Sequence, residues 1–87
     1  MINFDKYQKE VQHLMHVMRT DFKSITVQAF ENMGSLLNDK VGFEQFQQAR
    51  HNSFEKVFGF EMARYGSYVF MVKKTSKAVV YIEVEVA

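Results

Sequence analysis

Residues 18–30 read MRTDFKSITVQAF, and whether they continue or break the helical stripe before them decides the fold. Upstream, Tyr7, Val11, Leu14 and Met18 recur at gaps of four, three and four. Phe22, Ile25, Ala29, Met33 and Leu36 continue the stripe at gaps of four, three, four, four and three. The mean spacing, about 3.6 residues, is the α-helical period. Two arrangements fit. One is a single helix over residues 4–37. The other is two helices broken near 19–24, with Thr20, Asp21 or Ser24 as N-cap. Val27 and Phe30 lie outside the narrow seam, so the apolar arc widens midway. A helix above about 25 residues is also unusual in a small domain. Both points favour a break near Asp21.

Working outward, 38–42 (NDKVG) is a polar connection, with Asn38 or Asp39 suited to a helix C-terminus. A third helical region is expected over 43–65. Phe43, Phe46, Phe54, Val57, Phe58 and Tyr65 share one side, although Arg50 and Glu61 intrude on it. Asn52 followed by Glu55 resembles a capping box that would restart this helix. Gly66 closes the helical part. Residues 67–73 and 78–86 then read as strands, the second with strict alternation: Val80, Ile82, Val84 and Val86 against Val79, Tyr81, Glu83 and Glu85. The turn between them has neither Asn-Gly nor Gly-Xaa, so a loop of about four residues is expected. The expected fold is α+β: two or three N-terminal helices, one of them long or kinked, packed on a C-terminal antiparallel β-hairpin, in one domain over 1–87.

Composition bounds the function. Eighty-seven residues with 47% apolar content suffice for one small core, and nine Phe and four Tyr supply much of it. There is no cysteine, hence no disulfide framework and no thiolate metal site. The chain opens without a signal-peptide pattern, and its longest apolar runs, 67–72 and 78–82, are too short to span a bilayer. A cytoplasmic protein is expected, with no membrane partner. The net charge of +1 selects neither a basic nucleic-acid coat nor an acidic mimic.

His13 and His16 fall on the polar side of the first helix, about 60° apart by helical geometry. Two imidazoles are short of the three or four ligands a zinc site needs, so no metal and no cofactor are expected. His51, Asn52 and Ser53 are neighbours in sequence, which on a helix do not face one another, and no catalytic group is expected from them. No phosphate loop, dinucleotide turn or metal motif occurs, so the expected protein is not an enzyme.

What remains is a small protein-binding module, an inhibitor, adaptor or assembly component of the kind that phages and mobile elements carry. Its expected contacts are the apolar residues Val17, Val27, Phe30 and Phe60, together with a strand edge at Tyr81, Glu83 and Glu85. That edge would result if the last strand outran its partner, and it would allow strand addition by a second copy to form a homodimer. The alternative is a winged-helix-like DNA binder. Its hairpin tip would hold Lys73, Lys74 and Lys77 against phosphates, and Gln47 and Arg50 would lie on a recognition helix.

Overall fold

The first helix ends where the sequence allows a break, but the next element is a strand. In a computed structural model that describes residues 3–39, 48 and 55–87, the order is α1 (Phe4–Val17), β1 (Phe22–Phe30), α2 (Met33–Asp39), β2 (Glu55–Val57), β3 (Phe60–Tyr65), β4 (Tyr68–Lys74) and β5 (Val79–Val86). The expectation of helices packed on a hairpin is overturned. The strands form one five-stranded sheet, ordered β1-β5-β4-β3-β2, with every pairing antiparallel. The fold is α+β in a different proportion from the expected one: mostly sheet, with two short helices among the described residues.

α1 starts at Asn3, whose side-chain oxygen accepts the Lys6 backbone N–H at 3.1 Å. Such a cap is worth about 1 kcal/mol. It ends at Arg19, which sits at φ 54. The Arg19 N–H donates to the His16 carbonyl and the Thr20 N–H to the Met15 carbonyl. That pair of bonds is the Schellman closure, usually built on glycine. The left-handed residue turns the chain out of the helix, and β1 begins three residues later. β1 carries a bulge, because the register against β5 shifts between Phe22 and Ser24 and leaves Lys23 extra.

Side-chain alternation along the strands sends apolar groups to both faces of the sheet. On one face Val11, Leu14 and Met15 of α1 pack with Phe60, Val69, Met71, Val80, Ile82, Val84 and Val86. On the other, Leu36 of α2 packs with Ala63, Phe70, Val72, Val79 and Tyr81. The sheet therefore lies between its two helices. β5, an interior strand between β1 and β4, has Val80, Tyr81, Ile82 and Val84 fully buried. This explains the continuous apolar run at 79–82, since a strand covered on both faces loses its hydrophobic-polar alternation.

Two-residue turns join β2 to β3 and β3 to β4. Between β2 and β3, Val57 faces Phe60 across Phe58 (φ 50) and Gly59 (φ 84). Positive φ at both positions is the type I′ arrangement, which favours Asn-Gly. Between β3 and β4, Tyr65 faces Tyr68 across Gly66 (φ 60) and Ser67. Glycine first is the type II′ signature. Gly66 thus turns a hairpin and ends no helix, and over 55–65 the expected helix is replaced by β2 and β3. The loop between β4 and β5 spans the four residues Thr75–Ala78, as the absence of tight-turn residues implies. Thr75 closes it: its Oγ1 donates to the Ala78 carbonyl at 3.0 Å and accepts the Ala78 N–H at 3.0 Å.

Candidate functional site: a groove between helix and hairpin

Four residues on one flank of α1, Glu10, His13, Leu14 and Val17, follow the i, i+3, i+4, i+7 pattern that aligns side chains along a helix. That flank faces the tip of the β2–β3 hairpin. Between them runs a groove of about 220 Å³, lined by these four residues with Phe58 and Phe60. Leu14 and Phe60, both buried, form its floor. Val17, 50% exposed, and Phe58, 71% exposed, form its walls. Glu10 and His13 supply the polar rim. Glu10 lies 3.9 Å from the Lys6 ammonium, a solvent-exposed pair worth little in energy. Next to the end of α1 is a second recess of about 260 Å³, whose lining includes Met15, Met18, Met62 and Val69, with Met18 exposed.

Phe58 is the unusual wall. A β-carbon at left-handed φ costs about 1–2 kcal/mol relative to ordinary backbone. For a bulky residue this conformation is a real outlier. The side chain recovers little of that cost by burial, since most of it faces solvent. Residues held in such conformations cluster at functional sites.

Most of the other expected contacts lie elsewhere. Phe60 is buried as groove floor, which corrects its reading as an exposed residue. Val27 is half-buried against the α1-side core, and Phe30 packs on the α2 side, its ring edge-on to Tyr81 at 6.4 Å. Tyr81, Glu83 and Glu85 stand in β5, which pairs with β1 on one side and β4 on the other. The expected open edge at 81–85 is therefore occupied along its length by β1. The Tyr81 hydroxyl donates to Glu83 Oε1 at 3.2 Å. Burial pushes the Tyr81 phenol far above its usual value, and the Glu83 carboxylate adds to the rise by repulsion and by accepting that bond. Of the expected contacts only Val17 and Phe60 line the groove. Phe58 and Leu14 join them without having been singled out, because Phe58-Gly59 lacks the Asn-Gly signature that marks such a turn.

The basic tip does not stand free as a unit. The Lys73 ammonium lies 5.3 Å from the Phe60 ring centre and 5.7 Å from that of Tyr7, a cation–π position on the α1 face. Lys74 and Lys77 are exposed. Gln47, Arg50 and the His51–Ser53 run fall outside the described residues. His13 and His16 are exposed on α1, and among the described residues no group of three or more His, Asp or Glu is placed to hold a metal. No described helix is long and apolar enough to cross a membrane. Comparison with protein-family models, with curated proteins and with solved structures gives no match.

Proposed function

We propose that this protein is a small protein-binding module that works by occupying a partner's surface through the groove between α1 and the β2–β3 hairpin. Its ligand is a partner protein that presents one apolar or aromatic side chain. The observation that carries this reading is Phe58: a large ring, 71% exposed and held at φ 50, where the backbone favours Asn or Gly. Size supports the same class of ligand. The groove, about 220 Å³, is smaller than the ~300–1,000 Å³ usual for small-molecule and cofactor sites. It suits a single anchoring side chain, and such anchors carry most of the energy at protein interfaces. The Val17 and Phe58 walls give the apolar contact, and Glu10 and His13 give the polar rim such interfaces have.

The test is a displayed library of peptides with one central aromatic residue, selected against the full chain. Binders titrated in an amide-resonance experiment are expected to move Glu10, His13, Leu14, Val17 and Phe58 first. Val17→Asp is expected to weaken them at least about 30-fold, the scale of a lost hot spot of ~2 kcal/mol. Its circular dichroism should keep its shape. Selection of no binder, or of binders whose shifts map away from the groove, would sink the proposal.

A further inference from the structure

The sheet has two edges, and they differ. β2 is three residues long; β1 is nine. The direction of the β1 backbone groups follows from the ladder. The Val86 N–H donates to the Ser67 carbonyl on the β4 side, whereas the Ala87 N–H turns to the Asp21 carbonyl on the β1 side. Alternation then directs Glu85, Glu83 and Tyr81 toward β1, so their partners Ser24, Thr26 and Gln28 bond to β5. The N–H and C=O groups of Ile25, Val27 and Ala29 point away from the sheet. One contact agrees: Gln8 Nε2 reaches the Ile25 carbonyl at 3.4 Å. This is the one side-chain hydrogen bond seen on that edge among the described residues.

Edges of this length are normally guarded by charge or proline. From Ser24 to Phe30 the strand reads SITVQAF, with neither. We infer that β1 is a self-association edge: a second copy pairs with it antiparallel about Val27, joining two five-stranded sheets across a two-fold axis. The register is chosen by charge. Centred on Val27, it sets Ile25 opposite Ala29 and Thr26 opposite Gln28. It also sets Lys23 opposite Glu31, both exposed, so each end of the ladder joins unlike charges. Thr26 then offers a hydroxyl beside Gln28, whose buried Oε1 has no hydrogen-bond partner. Centred on Thr26 instead, Lys23 would face Ala29 and Glu31 would fall beyond the ladder. The two-fold puts the same patch on both sides, as an isologous interface requires. The groove stays outside this contact, so the inference does not depend on the proposed function.

Sedimentation equilibrium of the full chain tests it. The wild type is expected to approach twice the single-chain mass as concentration rises. Ala29→Pro removes an outward N–H that the β5 ladder does not use, and proline is tolerated on an edge. It is expected to be monomeric at concentrations where the wild type is dimeric, with an unchanged melt. Lys23→Glu should weaken association several-fold, and adding Glu31→Lys should restore it. Phe58→Asn should leave the mass unchanged. A wild type that stays monomeric at its highest soluble concentration overturns the inference. So does a folded Ala29→Pro that still dimerises, or loss of the dimer in Phe58→Asn. If Ala29→Pro fails to fold, the charge swap decides: a double variant no tighter than Lys23→Glu overturns the register.

Discussion

Phe58→Asn should make the protein more stable and less functional at once. The substitution puts Asn-Gly into a type I′ turn that already has φ 50 and φ 84. Asn keeps a β-carbon but is one of the few residues that adopt left-handed backbone readily, so replacing the bulky aromatic residue recovers up to about 1–2 kcal/mol. Lost packing opposes this gain. Because 71% of Phe58 is exposed, roughly three-tenths of the ~1.5–3 kcal/mol for burying a Phe is lost, about 0.5–0.9 kcal/mol. The net is a stabilisation of up to about 1.5 kcal/mol, or up to roughly 12 °C in Tm for a domain this size. Thermal melts followed by circular dichroism read the first half of the expectation. Titration of a groove-binding peptide reads the second, where a loss of about 30-fold or more is expected. A variant that melts lower would mean that packing holds Phe58 and that its backbone strain is offset locally. A variant that binds as well as the parent would remove the groove from the function.

Two further expectations concern other parts of the molecule. Arg19→Gly keeps the Schellman closure and relieves left-handed strain at φ 54, less the entropy of a glycine, so it should raise stability by up to about 1 kcal/mol in urea unfolding. Tyr81 makes stability fall with rising pH. Its folded-state pKa is raised and its unfolded value is near 10, so above that point the unfolded chain releases a proton that the folded chain keeps. The contribution is intact below about pH 10 and is lost at up to about 1.4 kcal/mol per pH unit above it. In Tyr81→Phe the urea midpoint should fall less steeply between about pH 10 and 11.5, and a slope equal to the wild type's would show that other groups cause the loss.

The part of the fold that was legible is the part whose period is undisturbed. Tyr7, Val11 and Leu14 are one face of a real helix, although Met15 and not the expected Met18 continues it, Met18 being exposed at the C-cap, and β5 alternates as its residues say. β1 was misread for a physical reason. Phe22, Ile25 and Val27 share the α1-side face, and in a regular strand they would be separated by even numbers. The Lys23 bulge turns one gap of two into a gap of three, which imitates the i, i+3 step of a helix. Ile25 and Ala29, four apart, share a face in either structure. The β-branched run Ile25-Thr26-Val27 was the contrary signal. The β2–β3 hairpin was hidden by its turn, since Phe58-Gly59 does not announce a type I′ geometry. Glu61, which spoiled the helical face, was a sign of strand alternation with Phe60 and Met62. Gly66-Ser67 is a recognised II′ pair and was there to be read. Val17 was legible in the site because one exposed apolar residue can be placed on a helix. The groove was not, because its other wall is a turn.

The pairing of β1 with β5 has a consequence for how the chain acquires its structure. Phe30 faces Val79 and Phe22 faces Val86, while β2, β3 and β4 are all inserted between them in sequence. Pairs separated by so much chain need a large loop to close before any hydrogen bond rewards it, and such contacts form late and slow folding. The β2–β5 meander closes through local turns and can form first. During synthesis β1 leaves the ribosome long before its only partner strand among the described residues exists. It waits with a β-branched stretch, Ile25-Thr26-Val27, that carries no charge from Ser24 to Phe30, the kind most prone to pair with another molecule. The strand made early is therefore completed last, and crowded nascent chains are where this protein is most exposed to misassembly.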